Sequence, residues 1–218
     1  MAKREANEYL NFQTAAYLRF LVWECDGCSL ALNRVFDQAH TVGMKHGDLG
    51  LQRQVFMDIQ SALGCAANVG KMLWPAPTDP DAAKIAIPRG ARLRALLKIE
   101  TDPVLEDRRL RNSFEHLDER VDKWAQQPRK LMLNVFGPIN VVVGWTHDEI
   151  FTMYDPVSRS VRMLRHTVSL FDVKTSVERV QEAAEAARTD IESRLEPPEP
   201  LESPIFPSPT NLRPGDTL

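Results

Sequence analysis

Apolar residues recur at intervals of three and four over most of the chain, which is the period of amphipathic helices, and give way to alternation in one window near residue 131. Tyr9, Leu10, Ala16, Tyr17, Phe20 and Trp23 predict a first helix, which continues or restarts after Gly27 from Leu30 to Ala39. Asp48 is placed to cap a second helix. Its apolar positions Leu51, Val55, Ile59, Leu63, Ala66, Val69, Met72 and Leu73 run until the stop at Trp74-Pro75-Ala76-Pro77. Pro80, Pro88 and Pro103 then predict a connector of short helical pieces, such as Ala91 to Leu97. From Leu105 to Gln127 the helical period returns, and Pro128 ends it. MLNVF, INVVVGW, EIFTMYDP and SVRMLR alternate or run apolar with β-branched residues, so a hairpin or three-stranded β-appendage is expected at about 131–166, turning at Asp155-Pro156-Val157-Ser158. Val168 to Leu195 reads as a long, alanine-rich closing helix. The pattern is that of a mainly α chain: a helical bundle with a small β-appendage over 1–195, then a tail at 196–218. That tail holds seven of the 15 prolines and no helical or strand period, and is expected to be disordered.

Composition narrows the function classes more than the fold. With 27 Lys and Arg against 30 Asp and Glu, the net charge of −3 excludes a protein that coats nucleic acid through bulk charge, so any such contact has to be local. Three cysteines, two of them at Cys25 and Cys28, suit reduced thiols better than a disulfide framework. The opening MAKREANEYLNF holds no apolar run of signal-peptide length. The weakly charged stretch Leu131 to Thr146, broken by Asn134, Gly137, Pro138 and Asn140, is too short to span a bilayer as a helix. A cytoplasmic protein without membrane contact is the expectation. No Gly-rich phosphate loop, GxSxG elbow or HExxH occurs, and no cofactor is expected.

Candidate chemistry lies on the predicted helix Leu105 to Gln127. Leu110, Phe114, Leu117, Val121 and Trp124 follow one another at four, three, four and three residues and form a single core-facing stripe. At about 100° per residue, Arg111 then falls on one flank of that stripe and His116 on the other, with Asn112, Glu115 and Glu119 between them on the outward side. A cation, an amide and an imidazole on one exposed face suit phosphate chemistry. The same segment also carries Arg111 with Glu115 and Glu119 with Lys123, the pairing of a solvated helix laced with i,i+4 ion pairs.

Arg111-Asn112-x3-His116 resembles the R-x4-6-H motif of HEPN domains, in which a polar residue such as Asn often follows the Arg. The resemblance implies a four-to-five-helix bundle covering roughly Tyr9 to Gln127, with the motif near the start of a late helix in a cleft shared by two protomers. It implies a metal-independent endoribonuclease of a toxin–antitoxin or phage-defence system, with RNA as substrate, a homodimer as the active form and an antitoxin protein as a partner. It equally admits a non-catalytic HEPN-like module that binds nucleotide, RNA or protein. In this reading His116 is the acid/base, Arg111 holds the phosphate and Asn112 orients phosphate or imidazole. Two departures stand out. Leu117, Asp118 and Glu119 follow the His where nucleotidyltransferase-paired members carry a modified Tyr, and the region 131–165 lies outside the usual minimal domain.

Three lesser constellations remain. Cys25-x2-Cys28-x11-His40-x5-His46 approaches zinc-finger spacing, but a finger needs a hairpin where this pattern predicts helix, so the cysteines read first as small core hydrophobes and no metal is expected. Cys65 sits in a run of small residues where helices can approach closely, and Cys25-Asp26-Gly27-Cys28 lacks the context of a redox pair. His147, Asp148, Glu149 and His166, with the basic group Arg159, Arg162 and Arg165, could contact a ligand or line turns of the β-region.

Overall fold

The computed structural model describes residues 2–44, 48–107, 117–126, 132–138 and 144–194. Helix α1 (Ala2–Met44) is followed by α2 (Leu49–Leu73), α3 (Pro80–Leu97) and α4 (Leu117–Ala125). Strands β1 (Met132–Phe136), β2 (Ile150–Asp155), β3 (Ser160–Met163) and β4 (His166–Ser169) come next, and α5 (Leu170–Glu192) closes the described chain. The protein is mainly helical with one small sheet.

Helix α1 runs unbroken through Gly27 and packs mainly on α2 and α5. A Cβ at Gly27 would lie 3.1 Å from the Cys65 sulfur, so the glycine and the small-residue run of α2 let these two helices come close. Asp48 caps α2 as its position suggested, accepting from the Leu51 N–H at 3.0 Å. The stripe of Val55, Ile59, Leu63, Ala66, Val69 and Leu73 is buried. Between α1 and α2 the carboxylate of Asp58, itself 3% exposed, accepts two bonds from the Arg34 guanidinium at 3.0 and 2.8 Å.

The proline-rich connector is a single helix rather than short pieces. Pro80 occupies the first turn of α3, where its missing N–H costs nothing, and the Asp79 side chain caps the Ala82 N–H at 3.0 Å. Pro88 is accommodated inside that helix. Gly90 brings α3 against the end of α2: a Cβ there would meet Pro75 Cδ at 2.5 Å and the Leu73 carbonyl at 2.8 Å. The Arg94 guanidinium donates to that same Leu73 carbonyl.

The strands are ordered β1-β2-β3-β4, with β1 parallel to β2 and the other pairs antiparallel. The fourth strand, His166–Ser169, occupies residues expected to be loop and helix start, so the closing helix begins at Leu170, capped by the Ser169 hydroxyl. The expected strand INVVVGW falls mostly on 139–143, outside the described residues, as do 108–116 and the tail at 195–218. One face of the sheet joins the helical core: Tyr154 and Val161 are buried in the same cluster as Leu18, Leu32 and Val177. Val135, Ile150 and Met153 form a second, smaller cluster flanked by Met132 and Trp145. Among the described residues, no helix is long and apolar enough to cross a membrane.

Candidate functional site

Strand register assembles a row of three polar residues and a methionine that no local stretch of sequence contains. Asn134 pairs with Thr152 across the parallel β1–β2 ladder, Thr152 with Met163 across β2–β3, and Met163 with His166 across β3–β4. Partners on adjacent strands share a face. Asn134, Thr152, Met163 and His166 therefore form one line across the sheet, and all four line a cleft of about 340 Å³ that opens between this face and α2.

The cleft is apolar on both sides. Phe56, Met57 and Leu63 contribute from α2, and Val161, Met163 and Val168 from the sheet. Against this lining stand a few polar groups, the composition expected of a small-molecule site. Thr152 is only 9% exposed, lines the cleft, and its side chain has no hydrogen-bond partner among the described residues, so its hydroxyl is an uncommitted donor and acceptor. The side chains of Asn134 and His166, and of Arg53 and Gln60 from α2, are likewise uncommitted among the described residues. Arg165 also lines the cleft and donates two bonds, each 2.9 Å, to the Asp148 carboxylate.

Arg111, Asn112 and His116 lie outside the described residues. Ahead of that segment, the fully buried carboxylate of Asp102 accepts from the Val104 and Leu105 N–H groups at 3.0 Å each, from the Ser176 hydroxyl at 3.2 Å and from the Arg179 guanidinium at 2.6 Å. The Glu106 side chain accepts from the Asp102 N–H at 2.7 Å. This turn is thereby tied to α5. A Cβ at Gly70 would stand 2.5 Å from the Leu105 carbonyl oxygen, so the turn also presses on α2. Beyond the segment, Trp124 of α4 is buried with its ring 5.2 Å from that of Phe151. Asp107 on the near side and Val121 on the far side both line the cleft.

The other candidates scatter. Cys25 and Cys28 lie one turn apart on α1, fully buried in the core, where a finger's hairpin cannot form. Burial pushes the Cys25 thiol above its ordinary range and that of Cys28 up to about 12, the reverse of what a reactive thiol needs. Burial and the Glu24 carboxylate raise Cys65 to about 11. His40 lies in α1, while His46 is outside the described residues. Among those residues no three His, Cys, Asp or Glu groups converge as metal ligands. Glu149 caps the short turn of 3-10 helix His147–Glu149 by accepting from the Thr146 N–H at 2.6 Å. The basic trio is split: Arg159 stands over the Phe36 ring, and Arg162 pairs with Met153 across β2–β3, its guanidinium 3.7 Å from the Met153 sulfur. Arg165 alone reaches the cleft. Thr152, Asn134, Arg53 and Gln60 were not singled out by sequence pattern, because only register and packing bring them together. Compared with protein-family models, with curated proteins and with solved structures, the chain matches none.

Proposed function

We propose that the protein is a metal-independent endoribonuclease of HEPN type that acts as a homodimer, in a toxin or phage-defence role. The observation that carries this reading is the sequence Arg111-Asn112-x3-His116 directly ahead of α4 in a mainly helical chain. Cleavage without metal needs a base for the 2′-OH, an acid for the departing 5′-oxygen and a cation for the charge of the phosphorane. One chain offers one His116; two chains paired about a two-fold axis offer two, with two copies of Arg111. Products would carry 2′,3′-cyclic phosphate and 5′-OH ends.

A surface suited to self-association supports the dimer. Helix α1 is apolar on two opposite sides: Leu18, Leu21, Cys25 and Leu32 are buried in the core, while Phe12, Phe20, Trp23 and Leu30 are 65, 52, 70 and 59% exposed. At about 100° per residue the exposed four fall within an arc of about 80° facing away from the core. Phe20 and Trp23 stack on one another at 6.2 Å. Contiguous exposed aromatics of this kind mark interaction surfaces.

The test is cleavage of end-labelled RNA in excess EDTA by the wild type beside Arg111→Ala and His116→Ala, with end-group analysis. Cyclic-phosphate products from the wild type alone, with a loss of at least about 100-fold in either variant, are expected. A folded, dimeric wild type that leaves several RNAs intact would favour the second reading, a non-catalytic nucleotide- or RNA-binding module. The uncommitted polar groups of the cleft favour that alternative, since they provide binding without chemistry.

A further inference from the structure

We infer that the cleft between α2 and the sheet is a nucleotide-binding site, which holds one nucleoside monophosphate unit with its base across Asn134 and Thr152 and its phosphate toward His166 and Arg165. The choice of a nucleotide among anionic heteroaromatics rests on the ribonuclease reading. Ring, edge and charge come from the cleft itself.

The lining calls for a flat apolar body. Phe56 and Met57 on one side and Val161 and Met163 on the other present hydrocarbon and ring surface to whatever lies between α2 and the sheet, which suits the two faces of an aromatic base. A base also has a polar edge, and an apolar cavity with no donors would reject it. Here the floor supplies them. The Asn134 amide offers both a donor and an acceptor, and on the adjacent strand the Thr152 hydroxyl offers the same pair. Thr152 is 9% exposed as a residue and its side chain has no hydrogen-bond partner among the described residues, so its hydroxyl is available to a ligand in the cleft.

The row changes character along its length. With strands about 4.8 Å apart, Asn134 and Thr152 are one spacing apart and His166 lies two spacings beyond Thr152, so the whole row extends about 14 Å. That length matches a nucleotide from base edge to phosphate better than it matches a base alone. The His166 end carries the ionic groups: Arg165, paired with Asp148, precedes it in the β3–β4 turn, and the turn is formed by Leu164 at φ 54. The His166 imidazole can donate an N–H to a phosphate oxygen, whereas the Arg165 fork is engaged by the Asp148 carboxylate at 2.9 Å on both arms and reaches a phosphate by exchanging that partner. A volume of about 340 Å³ lies in the range of sites that hold one small ligand. The unit could come from a free mononucleotide or from an unpaired residue of RNA, and the two sources share this chemistry.

The experiment is calorimetric titration of the full chain with the four nucleoside 5′-monophosphates, the four nucleosides, inorganic phosphate and an unstructured RNA hexamer. Thr152→Val keeps the side-chain shape and Asn134→Leu alters an exposed position, so at least one is expected to fold, as thermal melts would check. At least one monophosphate or the hexamer is expected to bind, once per chain for the monophosphate, with affinity about 10-fold lower in each folded variant. Arg165→Gln with His166→Gln is expected to weaken the monophosphate by a similar factor and leave its nucleoside within about two-fold. Binding of monophosphates identifies a free nucleotide as sufficient; binding of the hexamer alone, weakened by the same variants, assigns the site to RNA. No binding of any nucleotide or hexamer at about 5 mM, or affinity unchanged in the folded variants, would overturn the inference. Mononucleotide binding needs neither Arg111, His116 nor a dimer, so it can fail while cleavage succeeds, and the reverse.

Discussion

Tyr154 shows how a single atom can work against the fold around it. Its ring is fully buried and meets Phe136 edge-on at 5.6 Å, yet its hydroxyl has no hydrogen-bond partner among the described residues. Tyr154→Phe removes the stranded oxygen and keeps the ring, so urea unfolding is expected to show a gain of about 1 kcal/mol. The thiols of Cys25 and Cys28 set an alkaline limit by a related cause. Burial raises both above the ordinary 9.0, so between about pH 9 and 12 the folded chain keeps protons that the unfolded chain releases. Stability is full below pH 9 and falls as pH rises, by up to about 1.4 kcal/mol per pH unit for each thiol. Denaturant midpoints at pH 8 and pH 10 measure this, and the fall is expected to shrink in Cys28→Ala even though that variant starts less stable. The burial of these cysteines was legible from the helical pattern around them. The exposure of Phe20 and Trp23, which belong to the same helix signal, was not, because a helix that is apolar on two sides has the same period as one that is apolar on one.

Elements declared themselves where capping chemistry and apolar period agreed. Helix α2 has both Asp48 and the Trp74-Pro75 stop, and it spans Leu49–Leu73 as read. Helix α3 was obscured because proline is a breaker in mid-helix but a starter in the first turn, and only Asp79 ahead of Pro80 separates the two cases. Strand β4 is four residues long and runs directly into α5, so its pattern merges with the helix that follows. The cleft's polar row was illegible for a different reason: 134, 152, 163 and 166 become neighbours through one parallel and two antiparallel pairings, and parallel pairing across a crossover leaves no local mark. Between elements, Asp102 does the most. Asp102→Ala withdraws an acceptor from two backbone N–H groups, Ser176 and Arg179 at once. A loss of about 3 kcal/mol in chemical denaturation is expected, with Asp102→Asn intermediate.

At the scale of the molecule, the net charge of −3 does not suit a long nucleic acid track. The exposed stripe on α1 makes a prediction about assembly. If it pairs two copies, Trp23→Glu places a charge at its centre, and sedimentation equilibrium is expected to give twice the chain mass for the wild type and the chain mass for the variant, with helix content unchanged. A monomeric wild type would remove the basis for a two-histidine active centre. The fold class could be read from hydrophobic period alone, and of the stripe on the Leu105 to Gln127 helix Trp124 is buried while Val121 is half-buried at the cleft.

The sheet is sewn into the helices rather than hung from them. Tyr154 and Val161 are buried in one cluster with residues of α1, α2 and α5, and α5, which completes that core, comes after the last strand in the chain. A truncation after Ala125, at the point where a minimal helical domain would be drawn, therefore discards the closing helix along with the strands. An internal deletion that spared every helix would leave a void the size of a tyrosine and a valine. Neither piece is expected to be a transferable module, and a shortened chain that lost activity would report the collapse of its interior, whatever the strands contribute to binding.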